Sequence, residues 1–287
     1  MTSIQTKKRH PMDVLMLSLI YVCAALAVAL LLGIAVFVTV KGLPNVNWSF
    51  LTSVTSVLKG TTGIAGNIVN TLYIIVLTML IATPIGVGAA IYLNEYAKPG
   101  KFVNAIEFAT ETLSGIPSII FGLFGLTFFG ELMGLSYSIL TGSLTMVLMV
   151  LPLITRDTQE ALKTVPDSYR SGAIGLGAGK WYMIRTILLP SAMPGIITGV
   201  ILAVGRIVGE SAALLFTAGS FKVLPNSLMG CIKKIIEPGG TLTIQLYLSA
   251  TKGEFGVAFG IAFVLLIIVL GINFLAKGLA KHFDVAR

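Results

Sequence analysis

Six long stretches without a charged side chain set the limits on what this chain can fold into. No Asp, Glu, Lys or Arg occurs between Asp13 and Lys41 (27 residues) or between Lys59 and Glu95 (35 residues). Four further runs separate Glu111 from Glu131 (19), Glu131 from Arg156 (24), Arg185 from Arg206 (20) and Glu254 from Lys277 (22). An α-helix needs about 20 apolar residues to cross a bilayer core. Lipid offers no partner to backbone N–H and C=O groups, so runs of this length are helices rather than loops. They predict six spans, near 14–40, 67–93, 106–130, 138–155, 191–215 and 256–277. Composition agrees: charged residues are 11% of the chain and the mean hydropathy is +0.93, whereas a soluble domain averages about 25% charged.

Lys7, Lys8 and Arg9 precede the first run, as basic residues precede a signal peptide, but the apolar core is longer than the usual ~7–15 residues and more spans follow. A retained first span is expected, after a tail over 1–13 and within a single membrane domain over 14–287. Placing the N-terminus inside puts 13 Lys and Arg in inner segments and 6 in outer ones, with Arg206 left inside a span. That asymmetry predicts that both termini are cytoplasmic. The formal net charge of +8 then reflects topology and contact with an anionic leaflet. No basic face of a soluble fold is available for nucleic acid. Cys23 falls in the first span and Cys231 in the last outer loop, so no disulfide is expected. His10 and His282 lie in opposite tails without partners at ligand spacing, and no metal site is expected.

The largest polar island between spans runs from Arg156 to Pro190. Its Gly175-Leu-Gly177-Ala-Gly179-Lys180-Trp181 segment looks like a phosphate loop at first, yet Ile174 and Trp181 stand where the Walker pattern requires Gly and Ser or Thr. Lys180 likewise stands where a dinucleotide fingerprint needs its third Gly. The chain is not expected to bind ATP itself. Pro166, Asp167 and Ser168 predict a helix start, with a short helix over 167–174 and a glycine break at 175–179. A second short helix is expected from Lys180 until Pro190 and Pro194 introduce the next span. Gly177 suits a turn at positive φ. Such an island is either an ordinary positive-inside loop or a protrusion that meets a soluble partner.

The spacing Gly177, nine residues, Ile187-x-Leu189-Pro190 is similar to the EAA signature of ABC importer permeases, whose segment forms a coupling helix that docks on the ATPase subunit. Ala173 matches the second Ala of that signature; Ser171 and Gly172 depart from it, so its opening Glu is absent. Further segments widen the resemblance: Gly63-Ile64-Ala65-Gly66-Asn67, Pro84 to Tyr96, Leu113-Ser114-Gly115-Ile116-Pro117-Ser118 and Gly209 to Gly219. Together they resemble the PstA-type permeases of phosphate-specific ABC importers. The resemblance implies an all-α integral membrane subunit of about six transmembrane helices with a cytoplasmic coupling helix between spans 4 and 5, in the cytoplasmic (inner) membrane of a prokaryote. It implies no catalysis and no cofactor on this chain, with ATP and Mg on the partner. Implied partners are a PstC-type second permease, a PstB-type ATPase dimer, a PstS-type phosphate-binding protein, the lipid bilayer and inorganic phosphate.

A route for phosphate needs positive charge or hydrogen-bond donors shielded from lipid. Arg206 is the one basic residue inside a span, and intramembrane charge costs at least ~2.5–3.5 kcal/mol on insertion scales, so it should face a partner or a wet cavity. Glu210, one turn on, is expected to pair with it. The pair either contacts an oxyanion or locks helices together, with Gly205 and Gly209 permitting close approach. Arg156 ends the fourth span, as an exit contact or a headgroup anchor, and Glu107 and Glu111 are placed to face the path or balance it. Pro84, Pro117 and Pro152 are expected to interrupt spans and supply gate elements or packing kinks. Other readings stay open: a permease for sulfate, molybdate or tungstate, a secondary transporter, or an integral-membrane enzyme. No repeat supports the secondary transporter, and no nucleophile–base pair supports the enzyme.

Overall fold

The computed structural model describes residues 11–56, 61–225 and 227–282. Lys7, Lys8, Arg9, His10 and the side chain of His282 lie outside the described residues. Helix α1 (Pro11–Gly42) is followed by short α2 (Trp48–Thr52) and an antiparallel hairpin of β1 (Val54–Ser56) and β2 (Thr61–Ile64), in which Val54 pairs with Ile64. Helix α3 (Ala65–Ile91) ends in a π turn at Tyr92–Tyr96; α4 (Lys101–Gly115), α5 (Ser118–Gly125) and α6 (Ile139–Lys163) come next. Short α7 (Asp167–Gly175) and α8 (Lys180–Met183) lead through a further π turn, Ile184–Leu188, into α9 (Leu189–Gly209). Then α10 (Ala212–Thr217), α11 (Leu228–Lys233) and α12 (Leu242–Thr251) precede α13 (Phe255–His282).

Five helical stretches among the described residues are long and apolar enough to cross a membrane: Pro11–Asn45, Ala65–Tyr96, Ile139–Lys163, Lys180–Gly209 and Phe255–Leu275. The span expected over 106–130 is two helices, α4 and α5, bent by 102° at Ile116–Pro117, where Pro117 is expected to interrupt it. Pro117 is the pivot, since proline drives the residue before it out of helical geometry and Ile116 is extended. The other two prolines correct the expectation of interrupted spans: Pro84 lies inside α3 and Pro152 inside α6, and neither helix ends there. The fifth span also differs. It starts at Lys180 rather than near 191, because the π turn at Ile184–Leu188 carries the helix past Pro190, and it stops at Gly209 rather than near 215.

Helices α3 and α6 form the centre and run in the same direction. Thr78 donates to the Ser143 carbonyl (3.3 Å), Gly86 lies against Ile154, and Glu95 closes the far end near Leu162 through a shared arginine. Helix α9 returns beside α6, with Gly195 against Ala161 and Gly199 against Asp157. The apolar core falls into three clusters. One joins α3, α6, α9, α10 and α12 around Ile74, Met146, Val150 and Leu214. A second lies at the α7–α8 end, and a third joins Phe50, Ile64, Leu242, Ile261 and Val264. Helix α1 is apolar on every side and almost wholly uncovered by the rest of the chain, the state of a helix whose neighbours are lipid or another subunit.

At the end remote from α7–α8, the start of α3 holds the segment after α10. Asn67 Nδ2 donates to the carbonyls of Gly240 (2.9 Å) and Thr241 (3.3 Å), and Asn70 Nδ2 donates to those of Phe221 (3.0 Å) and Gly240 (3.1 Å). Thr71 Oγ1 accepts from Leu242 N (3.0 Å), an N–H in the first turn of α12 with no partner inside its own helix. Thr71 and Leu242 are both buried. The variant Thr71→Val, equal in shape, leaves that donor unpaired and is expected to cost about 1–3 kcal/mol, read as a lowered thermal-unfolding midpoint in detergent. An unchanged midpoint would mean that Leu242 finds another acceptor.

Candidate functional site

The polar island folds into a knuckle whose geometry follows from its glycine. Gly177 has φ +80°, the left-handed region, directly after Leu176 caps α7. Gly177 N donates to Ile174 O (2.9 Å) and Ala178 N to Ala173 O (3.0 Å), the paired bonds of a Schellman motif. The apolar contact that accompanies such a motif is present, since partly buried Ala178 packs on the cluster that holds Ala173. Leu162, Val165, Met183, Ile184 and Leu188 belong to that cluster, and Ile187 and Leu189 pack against it. Pro190 sits in the first turn of α9. The structure thus brings Ala173, Ile187 and Leu189 to one cluster, with Gly177 at the turn and Pro190 at the start of α9.

The surface the knuckle presents is a different set of residues. Leu176 is 90% exposed at the tip, and Ile174, Trp181 and Tyr182 are exposed beside it. Together they form an exposed apolar patch at the end of an otherwise polar protrusion. These residues sit between the motif positions, and their only signal in the sequence is apolar character inside a polar island. A second missed residue is Arg170, which holds α7 against the end of α3 by an ion pair with Glu95 (2.9 Å). Nothing local points to a partner 75 residues away.

Arg206 lies on the uncovered face of α9, with Thr198, Leu202, Gly205 and Gly209. Gly199 packs on Asp157, so Arg206 stands seven residues, or about 10 Å, further along, near the mid-level of α6. Its expected partner is turned elsewhere. The helix ends at Gly209 because Glu210 is extended (φ −81°, ψ 127°). Glu210 Oε1 then accepts from Ala213 N (3.1 Å) at the start of α10, and its carbonyl accepts from Thr243 Oγ1 (2.7 Å). A carboxylate at a helix N-terminus is well placed electrostatically, and no ion pair joins it to Arg206. Among the described residues Arg206 has no ion-pair partner.

Helix α6 does not end at Arg156 but continues two turns to Lys163. Arg156 lines a polar pocket of about 190 Å³ with Glu107, Glu111, Gln159, Glu160 and Lys163. Its Nη1 is 3.9 Å from Glu111 Oε1, both side chains being over half exposed (61% and 68%), so the pair contributes little. Three carboxylates (Glu107, Glu111, Glu160) against two cations (Arg156, Lys163) leave this pocket without net positive charge, a poor setting for an anion. Cys23 and Cys231 are both free thiols.

Residues 82–286 match the family described as binding-protein-dependent transport system inner membrane component. The chain is 36% identical over 267 residues to the probable ABC transporter permease protein YqgI of Bacillus subtilis (strain 168), covering 90% of this chain and 91% of that one. It is 33% identical over 241 residues to the phosphate transport system permease protein PstA of Haemophilus influenzae, covering 84% and 82%. The fold is similar to a chain of a bacterial alginate ABC transporter crystallised with its periplasmic protein (TM-score 0.69, 14% identity, 95% and 96% covered). It is also similar to one of the MetNI methionine ABC transporter (TM-score 0.57, 20% identity, 77% and 94% covered). With its multi-pass bundle and its knuckle between the third and fourth continuous spans, the chain belongs to the binding-protein-dependent transport system inner membrane component family: it is a permease subunit of an ABC importer and not an enzyme.

Proposed function

We propose that this permease translocates inorganic phosphate across the cytoplasmic membrane of a prokaryote, with both termini and the α7–α8 knuckle on the cytoplasmic side. A PstC-type permease completes the path, a PstB-type ATPase dimer binds ATP and Mg, and a PstS-type protein delivers phosphate from outside. The observation that carries the anion reading is Arg206, a guanidinium near mid-level with no acidic partner among the described residues and an uncovered face around it. A charge at that depth must meet water or another chain, and its five donors suit an oxyanion. The relatives named PstA support phosphate over other oxyanions. Hydrolysis on the ATPase reaches the path as a displacement of α7–α8, switching access between the two sides.

ATP-dependent uptake of radiolabelled phosphate by proteoliposomes holding the complete complex tests the reading. Uptake that unlabelled phosphate competes away, and excess sulfate, molybdate or tungstate does not, is expected. Uptake without the ATPase, or none with all partners present, would sink it. The turn at Gly177 gives a finer test of docking. Asn tolerates positive φ, whereas a β-branched residue there is strained. Gly177→Asn is therefore expected to retain the ATPase on co-purification and Gly177→Val to lose it; equal retention by both variants would separate the turn from docking.

A further inference from the structure

Helices α6 and α9 are joined to α7 and α8 by the chain itself, but α3 is not. Side chains make that connection. Arg170 donates through Nε and Nη2 to Glu95 Oε1 (3.2 and 2.9 Å), through Nη2 to Leu162 O (3.0 Å), and through Nη1 to Val165 O and Asp167 Oδ1 (both 3.0 Å). These five bonds use every N–H a guanidinium has. Arg170 is 20% exposed and Glu95 5%, and Asn94 Nδ2 donates to the same Oε1 (2.7 Å). At the residue after Glu95, the Tyr96 ring has Lys180 Nζ, from the start of α8, 4.8 Å from its centre, a cation–π contact.

A shielded guanidinium with all donors engaged has a single orientation, and parting it from its carboxylate leaves both groups desolvated and unpaired. Apart from the long Thr78 hydrogen bond to the Ser143 carbonyl (3.3 Å) near the other end, the α3–α6 contact includes apolar side chains and small residues such as Gly86, a surface along which packed helices can shear by small steps. We propose that Arg170 and Glu95 form a clamp that fixes the inner end of α3 to the knuckle, so that a displacement of α7–α8 carries α3 together with α6 and α9. Both are positioning residues and neither touches the cargo. The inference rests on the docking of α7–α8 to an ATPase.

The test uses the complete complex in nanodiscs, with Cys23 and Cys231 replaced and spin labels introduced at Lys98 and Tyr169, which are both exposed. The expected result is one label separation, the same in the nucleotide-free and vanadate-trapped states. In Glu95→Gln, the mildest break of the pair, that separation is expected to differ between states. Phosphate moved per ATP hydrolysed should then fall by roughly 5- to 150-fold, the range of a coupling free energy of 1–3 kcal/mol, while the ATPase still co-purifies. A separation that changes with nucleotide in the unsubstituted clamp, or an unchanged transport stoichiometry in Glu95→Gln, would overturn the clamp. The unsubstituted arm decides the question even if Glu95→Gln fails to assemble. Loss of the ATPase from the complex with an intact clamp would refute the docking reading, and the clamp's role with it. With the clamp unsubstituted, an ATPase that stays bound while the label separation changes refutes the clamp alone.

Discussion

The variant Leu176→Asp is expected to strip the ATPase from the complex and to reduce phosphate uptake to background. Leu176 is 90% exposed in this chain, so the substitution removes no internal packing, and surface changes of this kind usually alter stability by less than about 0.5 kcal/mol. At the centre of an interface the same change removes an apolar anchor and buries a charge. Truncating a hot spot costs about 2–4 kcal/mol, or roughly 30- to 1,000-fold in affinity at 1.4 kcal/mol per tenfold. Co-purification of the ATPase with the tagged permease measures it. Leu176→Met keeps the apolar volume and should behave like the unsubstituted protein, and Ser168→Asp, exposed at the other end of α7, should be silent. An ATPase that stays with Leu176→Asp at full stoichiometry would remove the tip from the docking surface.

The second large effect is expected at Arg206. Arg206→Gln should lower ATP-dependent phosphate uptake by about 10- to 150-fold, the equivalent of the ~1.5–3 kcal/mol of a hydrogen bond to a charged group. The complex should still assemble, because the Gln variant loses an insertion penalty of at least ~2.5–3.5 kcal/mol and breaks no ion pair within this chain. Arg206→Lys keeps the charge and gives up the planar fork of donors, so intermediate uptake is expected. A purely structural role predicts the reverse pattern, with poor assembly of the Gln variant and normal transport by whatever assembles. Normal uptake by well-assembled Arg206→Gln complexes would take Arg206 out of the path.

Much of the bundle was legible because a bilayer asks a coarse question. A span needs about 20 residues that carry no charge, and a scan for charges answers that without knowing any neighbour. The knuckle was legible for a different reason. A helix end at positive φ favours glycine on steric grounds local to that residue, so Gly177 marks it in the sequence. The break at Ile116–Pro117 was harder to see, since a bend of 102° leaves hydropathy unchanged and Pro84 and Pro152 look the same in sequence while sitting inside continuous helices. Periodicity misled at Glu210. One helical turn from Arg206 implies a pair only while the helix continues, and this helix ends at Gly209 and gives the carboxylate to Ala213 N.

The sequence by itself determined a membrane bundle of about six spans, a glycine knuckle in its largest polar island and a lone cation inside a span. Each follows from chemistry within one helix length: apolar transfer, backbone sterics and the cost of burying charge. Only the tertiary structure separated the residues that hold the knuckle from those it displays, because Ala173 and Leu176 are both apolar and only Ala173 meets the second core cluster. Only it joined Arg170 to Glu95 and left Arg206 without an acidic partner among the described residues. Which charges meet depends on how helices far apart in the chain pack side by side, and that register is set by many small contacts none of which is written at either residue.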